Sequence, residues 1–574
     1  MFRVLIIGLL LILVCLPPSG SAADIFDGPE SVAFDSITNR YFISNYRDGS
    51  IVQIDQYGDT GYFKTGLGHC YGNCIKDNIL YVSTDNRFKG FDVTTGQEIY
   101  DLYIAIPSRN LDGVTYDTSG YFYALCTGGV IYRIDLNEMT YETLVNNGLP
   151  NHPQDIIFDK FNNRLLVASY ESGSDIMQVS LPDGTLSTAG ATVTGLFDGI
   201  NIDYNGYIYL ASHYPPGMVY RYNNDFTIDP ELIKNNYNQP AGLEYNLRDD
   251  IVAVPVFGSN EVDFIHLYVD FQADTLWGYA PLEVTFTAAN GVLTSAAGAG
   301  WDWSFGDGET GEGQMINHTY QNPGAYEVTV TIDPTEGDNH SYTRYDYIIV
   351  LDDSLMGSDI QVETDTFEVA LDLVNNMPLK GLVLPCEFSG EMEVNFLGYS
   401  VESTRAEIFN SVSYLDFDLA NNRFTLNFEN LPGIYLSAGS GPVINLRFEI
   451  VAADSGDAMV LTMTGYDSYN PVFHGALTDY VPGLKTGTVT YIKTGCCEGV
   501  TGDADCSDNE PDISDITRLI SFLYLQGSEL CCVAEADVDT SGGSNPTVSD
   551  VDIADITFLI AHLYLDGRAL KPCP

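Results

Sequence analysis

The sequence predicts a mainly β, multidomain chain that ends in a small helical domain. Three observations predict it. A strand–turn–strand unit returns about every 42 residues between 24 and 267. Period-2 alternation without helical spacing continues from 268 to 494. Two matching segments with apolar residues at helical spacing, each behind an acidic loop, lie within 495–574. A chain of 574 residues holds several domains at about 100–200 residues each. The 54 Gly and 25 Pro supply the turns that so many short strands need.

Asp and Glu total 79 against 24 Lys and Arg, a formal net charge of −55. Such a polyanion repels phosphate backbones, so nucleic acid is excluded as a partner. The same balance suits capture of divalent cations. With 45% apolar and only 18% charged residues, the composition is that of packed domains rather than a disordered chain.

At the start, Arg3 precedes the apolar run Val4 to Leu16, and the small residues Ser19 to Ala23 follow. This reads as a secretory signal peptide over 1–23, too short to span a bilayer. No later apolar run is long enough for a transmembrane segment, so an exported, extracellular protein is expected. Of the ten remaining cysteines, Cys496, Cys497, Cys506, Cys531, Cys532 and Cys573 cluster at the end, as disulfides stapling a small domain would. Cys70 and Cys74 are a further candidate pair, and Cys126 and Cys386 read as lone buried thiols.

Within 24–267 each repeat is an apolar run, an Asp or Asn, a turn and a second apolar run. The marker residues are Asp35, Asp77, Asp117, Asp159, Asp203 and Asn246. One such blade cannot bury both faces, so six must close into a ring: a six-bladed β-propeller. The sixth copy runs out near Leu267, and the stretch before Pro29 is expected to supply its missing strand. Five residues before each marker, at the expected channel mouth, stand Glu30, Gly72, Asp112, Gln154, Asp198 and Ala241. Oxygen ligands from Glu30, Asp112, Gln154 and Asp198 facing one axis would suit one hard divalent cation. With Phe197-Asp198-Gly199 leading to Asp203 and Gly206, the region resembles NHL and SMP-30/gluconolactonase-type propellers. That resemblance implies a metal-dependent lactonase or esterase site. Glu30 and Asp198 match its residue types, while Asp112 and Gln154 stand where that family commonly has Asn. The bland alternative is that these side chains cap strands or hold water.

From 268 to 351, Trp301-Asp302-Trp303-Ser304-Phe305-Gly306-Asp307-Gly308, then His318-Thr319-Tyr320 and Asn322-Pro323-Gly324, resemble an immunoglobulin-like PKD domain. Asp307 and His318 are read as turn and core residues rather than a catalytic pair. From 352 to 494 a second β-sandwich is expected, and Asn376-Met377-Pro378-Leu379-Lys380-Gly381 ahead of a buried strand resembles cohesin-like or carbohydrate-binding-module sandwiches.

The segments Asp512 to Leu525 and Asp552 to Leu565 align residue for residue, with apolar stripes at 516, 519, 520, 523 and at 556, 559, 560, 563. Ahead of them lie Asp503, Asp505 and Ser507, and Asp537, Asp539 and Ser541. Oxygens at positions 1, 3 and 5, closed by a carboxylate at the helix start, form calcium loops of EF-hand type. Asp515 and Asp555 would close them, with Asp512 and Asp552 as direct or water-mediated ligands. The doubled loop–helix resembles a type I dockerin over 495–574, although the second loop is about seven residues longer than usual and position 5 is Ser in both. The resemblance implies a cohesin-domain partner, contacted through Ile513-Ser514 and Ile553-Ala554. The alternative is two capped helices with solvated acidic loops.

Together these readings give a secreted calcium-binding protein that docks onto a cohesin partner, linked to carbohydrate binding or polysaccharide breakdown. The alternative is a secreted lactonase-like hydrolase carried by the propeller. The non-catalytic reading is preferred, because neither a defensible carboxylate pair for glycoside hydrolysis nor a Gly-x-Ser-x-Gly elbow is present.

Overall fold

The computed structural model describes residues 25–571, except 107–109, 295–299, 334–338, 454–455, 493–499, 508–509, 526, 528–529, 544–545 and 566. The signal-peptide reading and Cys496, Cys497 and Cys573 lie outside the described residues. The chain is mainly β, with a small helical part at its end.

Five consecutive four-stranded antiparallel sheets run in simple meander order. Their innermost strands are Pro29–Asp35, Cys70–Lys76, Leu111–Tyr116, Pro153–Asp159 and Phe197–Ile202. A sixth sheet has three strands, Glu244–Asn246, Ile251–Val256 and Glu261–His266. Each innermost strand packs against the next, and the sixth returns to the first. The ring is thus a six-bladed propeller. Its closure differs from expectation: residues 25–28 add no strand to the sixth blade. Instead Ile25, Asp27 and Gly28 offer carbonyls to Asn45, Arg47 and Tyr46 of the first blade. The ring closes at the axis, where the Gly242 N–H donates to the Glu30 carbonyl at 2.8 Å. Along the end of the sixth blade's outer strand, Val292 and Leu293 N–H groups bond to the His266 and Leu267 carbonyls.

The markers recur because of local chemistry. The Asp117 carboxylate accepts the N–H groups of Ser119 and Tyr121, and Asp203 accepts those of Asn205 and Tyr207. These are Asx turns that start each hairpin. Asp77 differs: Asp77 and Asn78 both have positive φ, which makes a tight two-residue hairpin without the side-chain cap. Buried residues between neighbouring blades, such as Phe42 against Leu80 and Phe91, fill the spaces between sheets.

Cys70 and Cys74 do not pair; both are free. They sit on one extended strand, four residues and so about 13 Å apart along it, beyond the reach of a disulfide. Cys126 and Cys386 are buried thiols. Cys506 and Cys531 form a disulfide.

A three-stranded and a five-stranded sheet follow, packed around Trp303, Phe286, Phe305 and Tyr320. His318 stacks on Phe305 with centroids 4.1 Å apart and lies 2.7 Å from Asp307, which also caps the turn at the Glu309 N–H. This pair is part of the turn and core. The second sandwich pairs a five-stranded with a larger sheet around Leu371, Leu384, Phe448 and their neighbours. It leans on the first blade, where Tyr435 donates to Asp55 and Lys380 pairs with Asp59. Among the described residues, no helix is long and apolar enough to cross a membrane.

Candidate functional site

Among the described residues, two groups of three carboxylates bring ligand atoms within 4.8 Å of one another: Asp503, Asp505 and Asp515, and Asp537, Asp539 and Asp555. The two are built alike. The Asp505 N–H donates to Asp515 Oδ1, and the Asp539 N–H to Asp555 Oδ1, both at 2.9 Å. The Ser507 N–H donates to Asp503 and Asp505, and the Ser541 N–H to Asp537 and Asp539. Each loop therefore folds back on its own carboxylates.

Each loop runs into a helix, Ile513–Tyr524 or Ile553–Ile560. Asp512 and Asp552 are the N-caps, and Asp515 and Asp555 close reciprocal capping boxes onto the Asp512 and Asp552 N–H groups. The cap residues are thus spent on the helix start and stand outside the two triads. Burial, opposed by the backbone N–H groups that each accepts and aided last by the charges of the loop aspartates, pushes the Asp515 and Asp555 carboxyls up to about 6. Oxygen donors gathered this way fit a hard divalent cation, which would relieve that repulsion. Of the sequence stripes, Ile516, Leu519, Ile556 and Leu559 pack into the small core with Ala504, Val538 and Val551. Ile520 turns outward. Ile513 and Ile553 are 64% and 63% exposed, and Ser514 and Ala554 are exposed beside them.

The second candidate is the propeller axis. Glu30, Asp112, Gln154 and Asp198 line one cavity of about 10 Å³, together with Gly72, Gly113 and Gly242. The strand register explains why. In the first, fourth and fifth blades Glu30, Gln154 and Asp198 are each an unpaired extra residue, a β-bulge. The third blade is irregular around Asp112. A bulge re-aims its side chain, here toward the axis. The inner strands also come unusually close: a Cβ on Gly199 would lie 2.4 Å from the Ala241 carbonyl. Burial, then the charges of Asp198 and Asp155, raises the Glu30 carboxyl well above its ordinary range. Burial, then Glu30 and Asp198, does the same to Asp112. Asp198 Oδ2 lies 2.9 Å from His213 Nε2. The carboxylates of Glu30, Asp112 and Asp198 form no group with ligand atoms within 4.8 Å.

Two axial carboxylates escape the sequence reading. Asp155, next to Gln154, accepts N–H groups from Ile156 and Ile200 and so stitches the fourth blade to the fifth. Glu244 accepts from Asn201 at 2.8 Å. Both line a larger cavity of about 290 Å³ along the same axis, beside the free thiol of Cys74. Asp155 and Ser31 border both cavities. The signal for Asp155 was the doubled polar pair Gln154-Asp155; nothing in the repeat pattern sets Glu244 apart.

A family model for the PKD domain matches residues 278–350. No curated protein matches the chain. Among solved structures, a gluconolactonase from Xanthomonas campestris is similar at 12% identity, covering 41% of this chain and 85% of its own, TM-score 0.35. Regucalcin, a calcium-binding protein from Agrobacterium tumefaciens, is similar at 16% identity over 40% of this chain and 83% of its own, TM-score 0.34. A type I cohesin–dockerin complex from Clostridium thermocellum aligns at 16% identity over 25% of this chain and 94% of its own, TM-score 0.21.

Proposed function

We propose that the protein is an exported, calcium-loaded modular protein that docks through its C-terminal loop–helix pair onto a cohesin-type partner. The observation that carries this reading is the duplicated triad, Asp503, Asp505 and Asp515 with Asp537, Asp539 and Asp555, each at the start of a helix that exposes an isoleucine. Oxygen-only ligands favour calcium over softer metals. Without the ion, clustered carboxylates repel one another and the helices lose their start. Ser507 and Ser541 join each site, with Asp512 and Asp552 holding the helix caps that fix it. The docking face runs over Ile513-Ser514 and Ile553-Ala554. The propeller and the two sandwiches serve binding and spacing in an extracellular assembly linked to carbohydrate.

The test is calcium titration of the full chain, followed by binding to a panel of cohesin domains in calcium and in chelator. Two calcium ions bound per chain, and partner binding only when they are present, support the reading. Equal partner binding in chelator overturns it.

A second reading places a divalent cation on the propeller axis, held by Glu30, Asp112, Gln154 and Asp198, with lactone hydrolysis as its chemistry. It is favoured by the place of these four side chains along the lining of one cavity. A metal-dependent lactonase assay of the full chain and of Asp198→Ala decides it: no turnover with calcium, manganese or zinc removes the reading.

A further inference from the structure

A cavity of about 320 Å³ lies where the propeller, the PKD module and the second sandwich meet. Its walls come from three separate parts of the chain. The first and sixth blades give Tyr41, Asp55, Arg248, Asp249 and Phe264; the PKD strand His340–Leu351 gives Tyr342 through Tyr347; the sandwich gives Leu477. The volume falls within the range of small-molecule sites, about 300–1,000 Å³.

The chemistry of the walls is specific. Aromatic surface comes from Tyr41, Phe264, Tyr342 and Tyr345. Two guanidinium groups lie over aromatic rings: Arg248 is 5.0 Å from the Tyr345 ring centre, and Arg344 is 5.3 Å from that of Tyr342 and 5.0 Å from that of Tyr347. Arg248 is also fixed by Asp249 and Asn39, and Arg344 by Asp270. Arg344 Nε is buried with no hydrogen-bond partner. Carboxylates of Asp55, Asp249 and Asp346 line the same space, so the two cations are balanced. An anionic ligand would meet three acids. A purely apolar ligand would leave the buried Arg344 Nε without a partner. What suits flat aromatic faces beside paired donors and acceptors is a ring with apolar C–H faces and a rim of hydroxyls.

We propose that this junction cavity is a binding site for a neutral pyranose sugar. Because its walls belong to different modules, an occupied site also ties the propeller to the PKD module. The site is distinct from both the propeller axis and the C-terminal loops, and it does not depend on the docking reading.

The experiment uses the full chain in calcium and isothermal titration with the methyl glycosides of glucose, galactose, mannose and xylose, and with cellobiose. Glucuronate and inorganic phosphate are the anionic arms. At least one neutral glycoside is expected to bind, and neither anion. Tyr345→Ala, at the exposed rim, and Arg248→Gln are each expected to weaken that binding about tenfold or more, the effect of losing one stacking or bidentate contact. The melting temperature and near-ultraviolet circular dichroism report whether each variant is folded; Tyr345 is exposed enough for that variant to keep both. The proposal is overturned if no neutral glycoside binds, if the anions bind in preference, or if folded Tyr345→Ala binds as the parent does.

Discussion

The backbone N–H of Asp505 reaches the Oδ1 of Asp515 at 2.9 Å, and the same bond at the same length joins Asp539 to Asp555. The carboxylate that closes each loop therefore also begins the following helix through its capping box. On the proposed reading, ion binding and helix initiation share one side chain. Asp515→Ala is accordingly expected to reduce bound calcium from two ions to one per chain and to lower far-ultraviolet helicity, leaving the second site near its original affinity. A variant that still binds two ions by calorimetry would show that Asp515 is no ligand.

The two halves of the C-terminal domain match in burial as well as in sequence: Ile513 and Ile553 are exposed, while Ile516, Leu519, Ile556 and Leu559 are covered. A partner that reads one half can read the other. Ile513→Asp alone is expected to weaken partner binding only a few-fold, since the second half still presents its face. The double variant with Ile553→Asp is expected to lose about 100-fold or more, the scale of a removed hot spot. Calcium affinity and melting temperature are expected to stay unchanged in both. Surface plasmon resonance against a cohesin panel makes the comparison, and equal losses in single and double variants would count against a symmetric face.

The propeller ring was legible because its hairpins begin with an Asx turn, a device that needs Asp or Asn at one fixed offset: Asp117 and Asp203 hold two N–H groups each. The mouth positions were legible for the same reason, by counting back from those markers. The bulges at Glu30, Gln154 and Asp198 were not, since an unpaired residue in a strand leaves no mark on an alternating pattern. Nor was the way the short sixth blade closes the ring, which rests on the backbone pair Gly242 and Glu30 rather than on an added strand. In the tail, position and type found the six carboxylates that converge. They did not separate Asp512 and Asp552, which the helices use as caps.

Close approach of the inner strands sets a steric limit at the axis. A Cβ on Gly199 would sit 2.4 Å from the Ala241 carbonyl and 2.9 Å from the Gly242 Cα, both backbone atoms that cannot swing aside. Gly199→Ala is expected to destabilise the propeller by about 1–3 kcal/mol, the usual cost of overpacking. Gly58→Ala, with open space around the added methyl, is the control; its positive φ limits the cost to about 1 kcal/mol of backbone strain. Urea unfolding followed by tyrosine fluorescence ranks the two, and a Gly199→Ala midpoint equal to that of the parent would contradict the packing seen at the axis.

Glu244 gives the propeller a pH dependence of definite sign. Burial, opposed by bonds from Asn201 and the Phe34 N–H and aided by the Asp155 charge, pushes its carboxyl from 4.5 up to about 8. In the unfolded chain the group ionises near 4.5, whereas the folded chain holds the proton until about pH 8. Between those values the folded state binds more protons, so stability falls as pH rises. The limit is about 5 kcal/mol at 1.36 kcal/mol per pH unit, and water reaching the channel lowers it. Asp155, pushed up to about 7 mainly by burial, acts in the same direction. Glu244→Gln keeps the acceptor for Asn201 and removes the ionisation. The variant is therefore expected to melt higher than the parent at pH 8, to match it near pH 4.5, and to retain only the part of the slope that Asp155 supplies. Thermal melts at pH 5, 6.5 and 8 test this, and an unchanged slope in the variant would mean that Glu244 is already ionised in the folded ring.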